Sequence, residues 1–156
     1  MKVHLISVAQ RAPKWVDEGY KEYEKRLPKE IQLVYKQIQP IKSSSKLSSE
    51  KKKELEGEKI LSALPKYDWL ISLDEKGKEK TTQEWSFSLS NWLQHYPDVC
   101  VLIGGADGLS ENIIKLSNER LSLSKMTFPH TLVRILFAEQ LYRAWTLLNG
   151  HPYHRE

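Results

Sequence analysis

Val99-Cys-Val-Leu-Ile103 runs directly into Gly104-Gly-Ala-Asp-Gly-Leu-Ser110, and the fold class turns on this junction. Five apolar residues in a row, with no polar alternation, fit a strand covered on both faces, the condition of a central strand in a parallel sheet. The glycines that follow let the backbone turn tightly and approach a ligand with no Cβ in the way. Ser110 is placed to cap a helix with Glu111 in its first turn, and Leu109 and Ile114 to form a hydrophobic staple. The spacing is GGxxG, which differs from the GxGxxG dinucleotide fingerprint and lacks a Walker lysine. A glycine turn between strand and helix is also a common connector, so ligand binding and plain connection both stay open on these residues alone. Asp107 beside the helix start disfavours phosphate.

Outward from this junction, strands and helices alternate. Met1 to Ala9 reads as a partly buried strand and Ala12 to Leu27 as a helix whose apolar positions are Trp15, Val16, Gly19, Tyr20, Tyr23 and Leu27, ended by Pro28. A strand over Ile31 to Ile38 leads into a Lys/Ser-rich loop, expected to be mobile, and Ser49-Glu50 opens a helix that runs to Pro65. Tyr67 to Leu73 is a compact strand followed by a charged turn, Asp74 to Lys78. Thr81 or Thr82 can cap a helix whose face is Trp85, Leu89, Trp92 and Leu93. Leu121 to Ser124 is a further short strand before a helix that starts at Pro129, with Thr127 or Phe128 near its cap. On that helix Val133, Leu136, Phe137, Leu141, Ala144, Trp145 and Leu148 recur at helical steps, and Asn149-Gly150 followed by Pro152 stops it. The pattern is that of one α/β domain, residues 1–156, with a mostly parallel sheet flanked by helices. Ligands in such sheets sit at the carboxyl ends of strands, which singles out the loops after Leu73, Ile103 and Leu123.

With 156 residues, 40% hydrophobic and 28% charged, the chain can bury a core without disulfides or metal. No apolar run approaches the ~20 residues of a spanning helix, so no membrane partner is expected. MKVHLISVAQ shows no export signal, and the cytoplasm is the expected compartment. Cys100, inside the apolar run, reads as a small buried hydrophobe. The net charge of +4 fits an anionic partner without requiring one. Lys42, Lys46 and Lys51 to Lys53 are either a solvated stretch or a nucleic-acid contact. Glu139 and Arg143 stand in the favourable i, i+4 order for a surface ion pair, and Arg134 lies elsewhere on the helix surface. His151 and His154, without a Cys or carboxylate cluster beside them, do not make a metal site. Tyr153 between histidines and Arg155 is a composition that can stack on bases and grip phosphate.

LIGGADGLS (102–110), LSLSKMTFPHTLVRILFAEQLYRAW (121–145) and NGHPYHRE (149–156) together resemble the RlmH family, the ribosomal RNA large-subunit pseudouridine N3-methyltransferases of the SPOUT superfamily. The likeness spans the chain and is most specific in its C-terminal half. Ala106-Asp107 depart from the Pro-Glu associated with the family. The resemblance implies a deep C-terminal trefoil knot, a homodimer, and S-adenosyl-L-methionine bound in the knot by Leu73, Gly104, Gly105, Leu123, Ser124, Lys125, Met126, Thr127 and Phe128. It implies methylation at N3 of a pseudouridine in 23S rRNA within the assembled ribosome, with no metal. In that reaction His154 or Glu139 is expected to accept the proton, Arg143 and Arg155 to hold RNA or favour the deprotonated base, and Tyr153 to position the ring. Two other readings remain at this point: a non-catalytic ribosome- or RNA-binding protein, and a SPOUT methyltransferase acting on tRNA.

Overall fold

A computed structural model describes residues 1–155. Five strands, β1 (Lys2–Val8), β2 (Gln32–Ile38), β3 (Trp69–Glu79), β4 (Asp98–Ile103) and β5 (Glu119–Ser122), alternate with five helices. These are α1 (Lys14–Glu24), α2 (Ser49–Ala63), α3 (Thr82–His95), α4 (Glu111–Leu116) and α5 (His130–Leu148). The sheet has the order β2-β1-β4-β3-β5, and every pairing in it is parallel. β4 lies at its centre with Val99 to Ile103 buried, as a strand with no polar alternation demands. Val99, Val101 and Ile103 pack with Tyr20 of α1, Trp85, Leu89 and Trp92 of α3, and Phe137 and Leu141 of α5. Cys100 and Leu102 face the other way, toward Ile60 of α2 and Ile113 of α4. The sheet is therefore sandwiched, α1, α3 and α5 on one face and α2 and α4 on the other. Burial pushes the Cys100 thiol up to about 12, so it stays protonated at neutral pH and is poorly nucleophilic.

Local signals set most of the boundaries. Thr81 caps α3 in a full capping box with Glu84, Ser48 caps α2 and Ser110 caps α4. The end of α5 is a Schellman turn: the Gly150 N–H donates to the Leu147 carbonyl at 3.3 Å and the His151 N–H to Thr146 at 2.9 Å, with Gly150 at φ +61°. Three expectations need correction. α1 is shorter than Ala12 to Leu27, because Pro13 takes its cap position and the chain unwinds into single turns beyond Glu24. α5 begins one turn-residue later than expected, capped by Pro129 rather than by Thr127 or Phe128. Asp74 to Lys78 does not end the strand: β3 runs on to Glu79, and Leu73 and Lys78 both stand opposite Leu121, so Asp74 to Gly77 bulge out of the pairing with β5.

The largest departure concerns α5. Phe137, Leu141 and Ala144 are buried as expected, but so are Arg134, Ala138, Tyr142 and Thr146, while Leu148 is exposed. The helix is wedged between α1 and α3, so it is covered on more than the single face that its spacing defines. Arg134, expected at the surface, is 3% exposed. Its NH2 donates to Asp17 at 2.6 Å, and its guanidinium lies 4.3 Å from the Tyr35 ring centroid and 5.4 Å from that of Tyr20. Arg134 thus fastens α5 to α1 and β2 through a charge-assisted hydrogen bond and two aromatic faces. Arg134→Ala is expected to cost roughly 2 kcal/mol in urea denaturation; an unchanged midpoint would mean the contact contributes nothing.

Candidate active site

At the carboxyl ends of β3, β4 and β5 the following loops converge on a cleft of about 300 Å³. Its apolar wall is Leu73, Ile103, Leu109, Leu123 and Val133, and Gly104 and Gly105 form its floor. Gly104 is required by backbone crowding: a Cβ there would stand 2.6 Å from the Gly108 carbonyl carbon and 2.7 Å from the Leu109 nitrogen. Gly108 closes the turn at φ +86°, its N–H donating to the Gly105 carbonyl at 3.0 Å.

The third wall is the loop that leaves β5. Its serines organise it: Ser122 Oγ donates to the Ser124 carbonyl at 2.9 Å, and Ser124 Oγ accepts the Met126 N–H at 2.9 Å. Such side-chain turns hold backbone groups in place without secondary structure. Of the residues expected at a cofactor, Leu73, Gly104, Gly105, Leu123, Ser124, Met126, Thr127 and Phe128 line the cleft. Lys125 is in the same loop but exposed and off the wall.

Sequence reading missed several residues here. Asp74 and Arg120 face each other across the cleft's edge: Arg120 NH2 and Nε donate to Asp74 Oδ1 at 2.7 and 3.1 Å, and the Lys76 N–H reaches the same oxygen at 2.8 Å. His130, at the start of α5, also lines the wall, and burial pushes its imidazole below the usual range against the opposing influence of Glu56. Gly77 was read only as part of a charged turn, yet a Cβ there would meet the Leu121 backbone at 2.4 Å. Glu56 sits buried on the inner face of α2. Its signal was available: Ser49, Lys53, Glu56, Gly57 and Ile60 follow helical steps, which puts a carboxylate on a stripe that should be apolar.

The residues expected to carry chemistry gather elsewhere. Glu139 Oε1 accepts from Arg143 NH2 at 2.6 Å and Nε at 2.8 Å and from the Tyr153 hydroxyl at 3.1 Å. Arg143 NH1 lies 3.4 Å from His154 Nδ1, and its guanidinium covers the Tyr153 ring at 4.8 Å. The ion pair read as a surface contact is thus partly buried under the tail, with Glu139 13% exposed. Burial, and then Glu139 and Tyr23, raise the Tyr153 phenol to about 12. Arg155 is set apart: its Nε donates to the Pro152 carbonyl at 3.4 Å. Glu156 lies outside the described residues. None of these five side chains lines the cleft, and Arg143 is about 20 Å along α5 from His130.

A family model described as predicted SPOUT methyltransferase matches residues 1–154. The chain is 45% identical over 156 residues to the ribosomal RNA large subunit methyltransferase H of Laribacter hongkongensis, covering 100% of both chains. It is 46% identical over 156 residues to the protein of that name from Hydrogenovibrio crunogenus, again covering 100% of both. Among solved structures, a probable methylase family protein from Haemophilus influenzae superposes with a TM-score of 0.58 at 11% identity, over 99% of this chain and 70% of the other. A Legionella pneumophila protein solved with bound SAM superposes at 0.50 and 16% identity, over 92% and 66%. With its parallel sheet, its glycine-floored cleft and full-length relatives of this kind, the chain belongs to the SPOUT methyltransferase family.

Proposed function

We propose that this chain is an S-adenosyl-L-methionine-dependent methyltransferase of the large ribosomal subunit, acting on N3 of a pseudouridine in 23S rRNA within the assembled ribosome. The observation that carries the reading is the cleft at the ends of β3, β4 and β5, in a chain that matches rRNA large subunit methyltransferase H relatives from end to end. The cleft suits the cofactor. Gly104 lets the turn that forms the floor fold back on Gly108 and Leu109, where a Cβ would collide with their backbone, the apolar wall suits adenine and a thioether chain, and the serine-ordered loop offers backbone groups to read the base edge. When bound, the cofactor supplies a methyl group on a sulfonium, an electrophile that needs no metal.

The chain's own task is to orient the pseudouridine and take its N3 proton. Tyr153 keeps its proton to about 12, so it serves as a donor and a stacking face. Arg143, held by Glu139, offers a fixed positive charge that favours the deprotonated base. The Glu139 oxygens are already occupied by Arg143, Tyr153 and Gln140, whereas His154 Nδ1 meets only a 3.4 Å contact. His154 is therefore the freer proton acceptor, and Arg155, exposed at the tip of the tail, is available for phosphate.

Because the tail is about 20 Å along α5 from the cleft, we read the enzyme as a homodimer in which the tail of one copy completes the cleft of the other. We also read the loop Leu123 to Phe128 as threaded into a trefoil knot. A ribosomal substrate places the protein in the cytoplasm, and no described helix is long and apolar enough to cross a membrane.

Single-turnover methylation of intact ribosomes is expected, with none on naked RNA or tRNA; transfer to tRNA would redirect the substrate assignment. His154→Ala is expected to slow that turnover about 100-fold, and deletion of residues 151–156 to slow it further. If both variants methylate at the parental rate, the tail has no chemical role.

A further inference from the structure

Glu56 is 6% exposed, and among the described residues no lysine, arginine or histidine nitrogen lies within 4 Å of its carboxylate. Burying a carboxylate without a cation is costly. Its hydrogen bond from the Ile41 N–H to Oε1, at 2.9 Å, satisfies one oxygen and balances no charge. The other oxygen is directed at the cofactor turn: Oε2 lies 2.7 Å from where a Cβ on Gly105 would stand. Gly105 lines the cleft, so one layer of glycine backbone separates the carboxylate from the cleft's interior.

The placement is built into α2. Ser49 Oγ donates to Asp107, Glu56 abuts Gly105, and Gly57 lies so close to Ser110 that a Cβ would meet its Oγ at 2.7 Å. One helix face therefore rests along the whole glycine turn. The nearby acidic groups do not compete for the same role. Asp74 is neutralised by Arg120, and Asp107, Glu75 and Glu111 are exposed, where water screens them. Glu56 also lies near enough to His130 of the cleft wall to oppose the lowering of its imidazole by burial.

We propose that Glu56 makes this cleft read charge, favouring the cationic sulfonium cofactor over the neutral thioether product that remains after the methyl has left. The proposal rests on the cofactor assignment made above. The two molecules differ by one methyl group and one positive charge. A buried anion behind the floor of the cleft discriminates through the charge, and its attraction lapses when transfer neutralises the sulfur, which speeds product release.

The test is calorimetry on the full-length protein with S-adenosylmethionine and with S-adenosylhomocysteine, comparing the parent with Glu56→Gln. Glutamine keeps the shape and an oxygen for the Ile41 N–H. The Kd for S-adenosylmethionine is expected to rise about tenfold, with that for S-adenosylhomocysteine held within twofold. Equal weakening of both ligands would make Glu56 a structural prop of the turn and overturn the proposal, as would no change in either. If the parent itself gives no heat with S-adenosylmethionine, it is the cofactor assignment that fails. A measurement on the parent protein guards against a misfolded variant: an analogue bearing a protonated amine in place of the sulfonium should bind about tenfold tighter than the thioether. An analogue that binds no tighter than the thioether would also overturn the proposal.

Discussion

Gly77→Ala is expected to lower the unfolding free energy by about 3 kcal/mol or more and to abolish cofactor binding. The new Cβ would stand 2.4 Å from the Leu121 carbonyl carbon and 2.7 Å from both its nitrogen and its oxygen. All three atoms are backbone, so no rotamer change relieves the overlap, and β5 has to move away from β3. The contact lies inside the register shift between Leu73 and Lys78, where the strand spacing is already irregular. β5 carries Arg120 and Ser122 on the cleft wall, so its displacement opens the site as well as the sheet. Gly108→Ala is the control. No atom lies within 4 Å of a Cβ there, but φ is +86°, so only the backbone conformation is penalised, by about 1 kcal/mol. Urea denaturation and calorimetry on the two variants separate a collision from a conformational cost; equal midpoints would show that β5 yields easily.

The second large effect is on rate. Arg143→Ala removes the charge that Glu139 and Tyr153 hold in place, and a drop of about 100-fold or more in single-turnover methylation is expected. S-adenosylmethionine affinity should stay within twofold, since the cleft that holds the cofactor is walled by Leu73, the glycine turn and the loop after β5 and not by Arg143. Gly104→Ala has the opposite profile: its Cβ would press on Gly108 and Leu109 backbone, so binding is lost while the tail stays intact. Each variant alone should be inactive. Mixed in equal amounts, they form heterodimers in which one site joins an intact cleft to an intact tail, and about a quarter of parental activity should return. Absence of any recovery would mean that each subunit carries its own complete site, and the shared-site reading would be abandoned.

The legibility of this chain follows the range of the forces involved. Val99 to Ile103 could be placed at the sheet centre because a strand covered on both faces needs apolar side chains on both, a requirement met within five residues of sequence. Ser110 could be read as a cap, and the cap of α3 narrowed to Thr81 or Thr82, because capping joins groups two or three residues apart. Arg134 was misplaced because nothing near it in sequence marks it as buried; Asp17, Tyr20 and Tyr35, which accept its charge, come from α1 and β2. Asp74 to Lys78 looked like a turn from composition, but the chain returns to pair with β5 at Lys78 and Glu79, so the segment is a bulge inside β3. The strand-end loops were legible as a site through the general habit of parallel sheets, whereas His130 was not, since it reaches the cleft only through helix packing; the stripe of α2 marked Glu56 as buried, but only the packing shows that it stands behind Gly105.

Sequence alone therefore determined the alternation of elements, the serine cap of α4, the parallel sheet and the glycine turn, because each follows from side-chain period or backbone freedom over a few residues. Tertiary structure decided three further things: that Gly77 must lack a side chain, that a carboxylate on α2 stands behind Gly105, and that Glu139, Arg143, Tyr153 and His154 form one cluster away from the cleft. The reason is the same in each case. These contacts join segments distant in the chain, and their distances exist only once the helices have been laid against the sheet.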